Sequence, residues 1–197
     1  TNSDEVADFV KICEDRWGRI DILHNNVGIV EPGSPEDITE ANWDRLIDVN
    51  VKSMYLTSKY VLPHMVRAKG GTIINVSSIA SFYSLGYACV SYSASKGAVN
   101  ALTRNIATEY AKHKIRCNAI LPGLMDTPLI RGAVSGAYKD VDSMVAERNA
   151  ICPMGEMGTA WDVANAAVFL ASDESSYVTG SEFTVAGGIP AAYVTPE

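Results

Sequence analysis

Apolar residues recur along the chain in two modes, stripes with a period near 3.6 and short unbroken runs. Val6, Phe9, Val10, Cys13 and Trp17 fall at helical spacing and predict an opening amphipathic helix, with Ser3 as N-cap and Gly18 as stop. Ile20-Asp21-Ile22-Leu23-His24 predicts a strand that ends at Asn25-Asn26-Val27-Gly28, before a loop carrying Pro32, Gly33 and Pro35. Thr39 starts a long helix. Trp43, Leu46, Ile47, Asn50, Val51, Met54, Ser58, Val61, Leu62 and Met65 lie on its stripe, and Pro63 is expected to kink it near its end.

After Gly70-Gly71, Thr72-Ile73-Ile74-Asn75-Val76 predicts a second strand, closed by Ser77-Ser78. The next helix carries Tyr92 and Lys96, with Val99, Leu102, Ile106 and Tyr110 on its core side. Residues 115–121 predict a third strand, stopped by Pro122-Gly123. Residues 124–158 read as irregular or weakly helical. Thr159 and Asp162 match a capping box that opens the last helix, and Ser181 to Val185 form a final strand before Gly187-Gly188. Strands alternating with helices imply right-handed crossovers, a mainly parallel sheet and an α/β layered fold. With no repeat or dividing linker, residues 1–197 read as a single domain, with a substrate-side region about 124–158.

Composition narrows the function classes. Hydrophobic residues make up 47% and charged residues 20%, the balance of a globular chain that can build a core. The net charge of −7, without a basic stripe, argues against a nucleic-acid partner. Cys13, Cys89, Cys117 and Cys152 are far apart, as are His24, His64 and His113, so no metal site is expected and the cysteines read as free thiols. No apolar run reaches the length of a membrane span, and the polar start is no signal peptide; the expected location is cytoplasmic.

The chemistry gathers at strand ends. Tyr92 and Lys96 are one helical turn apart, so their polar heads can converge, and a nearby ammonium favours phenolate and draws a phenol down from its usual pKa of about 10. Such a pair also arises by chance on solvated surfaces. Asn50 is an amide in an apolar stripe, which requires hydrogen-bond partners; tying a neighbouring loop is its plainest role. Ser77, Ser78 and Pro122-Gly123 are equally consistent with turn chemistry. Yet all these segments meet the carboxyl edge of a parallel sheet, where ligands bind.

Together these residues resemble the short-chain dehydrogenase/reductase family. The match consists of Asn25-Asn26-Val27-Gly28, Asn50, Ser78, Tyr92-x-x-x-Lys96 and Pro122-Gly123 with Thr127. It continues through Pro153-Met154-Gly155, Asp162-Val163-Ala164, Tyr177-Val178-Thr179-Gly180 and Gly187-Gly188. The resemblance implies a Rossmann-like parallel sheet with helices on both faces. It also implies NAD or NADP as cofactor, and hydride transfer to or from a secondary alcohol or ketone. In that scheme Tyr92 is the general acid/base, Lys96 lowers its pKa and holds the nicotinamide ribose, and Ser78 hydrogen-bonds the reacting oxygen. Asn50 anchors a water on a proton path from Lys96. Thr127 and the backbone near Met125 meet the nicotinamide carboxamide, Pro122-Gly123 border the cofactor, and Asn25 and Gly28 lie along the adenosine side. Ser78 is preferred to Ser77, although its separation from Tyr92 exceeds the family's usual one by a residue. Residues 79–91 and 124–152 are the expected substrate walls. Phe82, Tyr83, Leu85, Tyr87, Met125, Leu129 and Tyr138 suggest an apolar or aromatic small molecule. A homodimer or homotetramer is expected, built on the Thr39 and Tyr92 helices.

The match fails at one place. The family's T-G-x-x-x-G-x-G phosphate loop does not occur in this chain. By resemblance, about 60 residues would precede Thr1, including three strands, that loop and the residue that selects NAD over NADP. The expectation is therefore a sheet lacking its N-terminal strands. Either the chain is part of a longer one, or a short protein covers the bare sheet edge by association. The alternative to an enzyme is a noncatalytic remnant serving as a binding or oligomerisation module. Ala186 and Glu156 also stand where the family usually has Asp and Arg.

Overall fold

The computed structural model describes residues 1–133 and 138–192. Helix α1 (Ser3–Trp17) is capped by Asn2, whose side-chain oxygen accepts from the N–H groups of Asp4 (2.9 Å) and Glu5 (3.3 Å). The expected cap, Ser3, is already inside the first turn, and its hydroxyl meets Tyr60 Oη at 2.7 Å. Gly18 ends the helix at φ 74°, a left-handed conformation that costs glycine little.

Among the described residues four strands follow: β1 (Ile22–Asn25), β2 (Gly71–Val76), β3 (Ile115–Pro122) and β4 (Glu182–Val185). They pair in parallel in the order β1-β2-β3-β4. All carboxyl ends therefore share one edge. The crossover from β1 to β2 holds α2 (Glu40–Ile47), a π turn (Asp48–Lys52) and α3 (Ser53–Ala68). Helix α4 (Val90–Tyr110) joins β2 to β3. Helices α5 (Pro128–Ala133), α6 (Val141–Ile151) and α7 (Ala160–Ala171) lie between β3 and β4.

Strand alternation divides the core between two faces. Ile73, Ile115 and Cys117 pack against Val61, Leu62 and Met65 of α3 and Ile106 of α4, with Val10 of α1 beyond. Ile74 and Ile120 turn the other way, onto Ala166, Ala167 and Leu170 of α7. Helices thus cover both faces. A third cluster lies under the carboxyl edge, where Ala119 and Leu121 meet Leu124, Cys152, Met157 and Ile189.

Two elements depart from the sequence pattern. The long helix runs through Pro63 to Ala68, and its α geometry is interrupted earlier, at the π turn. Leu46, Asn50, Met54 and Ser58, all buried, recur every fourth residue. In a regular helix such a row rotates by about 40° per step, and the wider turn takes up the surplus residue. That keeps Asn50 on the core face. The second is α6, a full helix in a stretch expected to be irregular or weakly helical. Asp140 caps it by accepting from Ser143 N (2.7 Å), but only Met144 and Arg148 are buried along it, too few for a stripe. Residues 134–137 of the expected substrate-side region lie outside the described residues. The capping box at Thr159 and Asp162 opens α7 as its sequence predicts. Among the described residues no helix is long and apolar enough to cross a membrane.

Candidate active site

The carboxyl ends of β1, β2 and β3 open on a cleft of about 490 Å³. Gly28 borders it after β1 and Ser78 after β2; Tyr92 and Lys96 enter from the first turns of α4. Pro122, Gly123, Met125 and Thr127 complete the far wall.

Lys96 is fixed from two directions. Its ammonium donates to Val76 O at the end of β2 (2.8 Å), while its own carbonyl accepts from Ser77 Oγ (3.0 Å). The side chain is 3% exposed, and this burial lowers its pKa to about 8. Nζ stands 5.6 Å from the centroid of the Tyr92 ring. Tyr92 moves the opposite way: burial pushes the phenol up to about 12, and a hydrogen bond with Ser78 draws it back only partly. This corrects the expectation that Lys96 brings Tyr92 down into the working range. Desolvation outweighs every other effect on the phenol, and the group that lowers its pKa is Ser78.

The two serines separate cleanly. Ser77 spends its hydroxyl on the α4 backbone. Ser78 caps the short turn Ile79–Ser81 by accepting from Ala80 N (3.1 Å) and is the serine that meets Tyr92.

Two asparagines are placed behind the cleft. Asn50 is fully buried and clamps the backbone of Ile29, its oxygen accepting from Ile29 N (2.8 Å) and its amide donating to Ile29 O (2.9 Å) and Ser95 Oγ (3.0 Å). Asn25 donates to Asn75 Oδ1 and accepts from Thr57 Oγ1, both at 2.8 Å; Asn75 in turn donates to Thr103 Oγ1. Its side chain is thus committed to a buried network and does not line the cleft. Gly28 sits between the site and Asn50. A Cβ there would stand 3.3 Å from Lys96 Nζ and 3.4 Å from Asn50 Oδ1, so glycine keeps a gap open between ammonium and amide.

A smaller cavity of about 40 Å³ adjoins the cleft and shares Ser78, Tyr92, Gly123, Leu129 and Ile130 with it. Of the expected substrate walls, Leu85, Tyr87 and Leu129 border this cavity and Met125 the main cleft. Phe82 and Tyr83 instead face a separate groove against the loop at Gly33. Burial raises the pKa of Tyr87, and nearby Tyr138 adds to the rise. Sequence reasoning missed Arg148. It belongs to α6, is 3% exposed and lines the small cavity beside Tyr87. A basic residue in a helix without a stripe carries no signal of burial, so spacing could not have found it.

The cleft fits the nicotinamide end of a dinucleotide: an apolar-walled slot with a buried ammonium, a phenol and a serine on one side. No T-G-x-x-x-G-x-G phosphate loop occurs among these 197 residues.

Known proteins resemble the chain over nearly its whole length. The family model described as "Enoyl-(Acyl carrier protein) reductase" matches residues 1–190. Dehydrogenase/reductase SDR family member 6 of Xenopus laevis is 43% identical over 189 residues, which covers 95% of this chain and 75% of that protein. A short-chain dehydrogenase/reductase structure from Burkholderia xenovorans superposes with a TM-score of 0.91 at 39% identity, covering 98% of this chain and 72% of the other. A gluconate 5-dehydrogenase from Burkholderia cenocepacia, solved with NADP and tartrate, superposes with a TM-score of 0.89 at 31% identity, covering 98% and 73%. With a cleft at the carboxyl edge of the same parallel sheet, the chain belongs to the short-chain dehydrogenase/reductase family of oxidoreductases.

Proposed function

We propose that this chain carries the proton-transfer site of an NAD(P)-dependent oxidoreductase acting on a secondary alcohol or ketone. The observation that carries it is the meeting of Tyr92 with Ser78 in a cleft where Lys96 is held beneath the phenol ring. Bound nicotinamide would supply or take the hydride. In the reduction direction, negative charge develops on the substrate oxygen. Tyr92 is a neutral phenol at pH 7 and donates its proton to that oxygen, while Ser78 donates a hydrogen bond to the same atom. Lys96, with a pKa near 8, remains mostly charged at pH 7. One of its N–H groups is spent on Val76 O, which leaves two for ribose hydroxyls and for reprotonation of Tyr92. The gap over Gly28 would admit a water between Lys96 and Asn50, which supports a proton path on that side. Thr127, Met125 and Gly123 would border the carboxamide, with Pro122 beside them. The NADP complex of the gluconate 5-dehydrogenase supports a dinucleotide in this cleft without choosing between NAD and NADP.

A second reading is a noncatalytic binding or oligomerisation module, favoured by the lack of a glycine-rich phosphate loop in the chain. Titration with NADH and NADPH, followed by cofactor fluorescence, separates the two. Saturable binding of either supports the enzyme. A folded sample that binds neither would leave the module reading standing for these 197 residues.

A further inference from the structure

Arg148 is a cation without an anion. Its guanidinium is buried in a helix that packs under the carboxyl edge, with Nε donating to Met157 Sδ (3.4 Å) and the hydroxyl of Tyr87 as its other polar neighbour. Both neighbours are neutral. Among the described residues no carboxylate forms an ion pair with it, although six other lysine or arginine ion pairs are present. Removing a guanidinium from water is costly, and a structural arginine normally recovers this through a carboxylate. The remaining neighbours in the cavity make the deficit larger, because Leu85, Leu124, Leu129 and Ile130 offer no acceptor side chain.

The position is as informative as the charge. The cavity of about 40 Å³ that Arg148 lines is also lined by Ser78 and Tyr92, the groups that would hold the reacting oxygen. Its volume suits roughly three water-sized groups, which is the size of a carboxylate. A planar guanidinium offers paired N–H donors that match two carboxylate oxygens, and the apolar walls make that pairing stronger than in water.

Resting on the oxidoreductase reading, we propose that Arg148 is the specificity residue for a carboxylate on the substrate, which is a hydroxy acid or the corresponding oxo acid. In reduction, the carbonyl carbon gains a C–H bond from the hydride of the reduced nicotinamide. The carbonyl oxygen gains the Tyr92 proton, and the nicotinamide leaves oxidised. The carboxylate is unchanged and serves only as the handle. The apolar walls then line the short carbon chain between handle and carbonyl.

The test uses 2-, 3- and 4-oxopentanoate and their methyl esters, which move the ketone along one chain and switch the charge off. Binding is measured calorimetrically on the full chain without cofactor, and turnover with NADH and NADPH. Arg148→Met keeps the length and removes the charge; Arg148→Lys keeps the charge and loses the fork. At least one acid should bind and react better than its ester in the wild type. Arg148→Met should lower the acid-to-ester ratio of kcat/KM at least about 30-fold, with Arg148→Lys between. An acid-to-ester preference that is absent, or that survives in Arg148→Met, overturns the proposal. Should Arg148→Met not fold, an Arg148→Lys variant with wild-type discrimination overturns it equally. Esters reduced without any acid preference leave the oxidoreductase reading standing and remove the acid handle. If no ketone of either class turns over, the oxidoreductase reading and the substrate assignment both fail. Acid binding lost in Arg148→Met would then mark an anion site alone.

Discussion

Burial moves Tyr92 and Lys96 in opposite directions, and this sets what each can do at neutral pH. Tyr92→Phe should lower turnover by roughly 100-fold to 10,000-fold in steady-state assays while cofactor affinity stays nearly unchanged. Retention of most of kcat would remove the phenol from the proton step. Lys96 makes a separate prediction about stability. Its pKa is lowered from 10.5 unfolded to about 8 folded, so the unfolded chain binds more protons between those values. Its contribution is complete above the unfolded value and is lost as pH falls towards 8. Relative to Lys96→Met, the wild type should therefore gain on the order of 2–3 kcal/mol between pH 7 and 10 in urea unfolding. A flat difference would show that the ammonium is not desolvated. The convergence of Tyr92 and Lys96 is legible in the sequence, since four residues on a helix fix a shared face. The direction of the pKa shifts is not. It depends on burial by segments brought up from elsewhere in the chain, with Ser78 drawing the phenol partly back.

At the level of elements, the strand–helix alternation is written plainly in runs such as Ile73-Ile74, and the capping box at Thr159 fixes the start of α7. The π turn is not so written. A row spaced by four looks helical to any periodicity argument, and only the burial of all four members shows that a residue has been absorbed. Asn50 sits within that turn and holds the loop at Ile29, 21 positions away, by both backbone groups. Asn50→Ala should therefore cost about 1–3 kcal/mol in denaturant unfolding, because it orphans a donor and an acceptor. Loss of activity without loss of stability would instead favour the proton path as its main role. Helix α6 is only weakly legible for the opposite reason: its buried pair is Met144 and Arg148, and one of the two is charged.

In the whole molecule, β1 is paired on one side only among the described residues, with Ile22 half exposed at its start. Unpaired strand edges recruit further strands. Ile22→Lys should lower concentration-dependent association in sedimentation velocity at micromolar protein, and an unchanged distribution would place association elsewhere. The sheet order follows from the alternation of elements, whereas the pairing of the outer edge could not be read from local pattern. The two-point tie between Lys96 and the end of β2 has a consequence for how such a protein can diversify. The proton donor takes its position from the sheet and not from the loops that shape the substrate space. Residues of these loops that touch neither Tyr92 nor the cofactor side can be rewritten without moving that tie. Selectivity and reactivity are separately inheritable, and a change such as an arginine in α6 can redirect the first while the second stays intact.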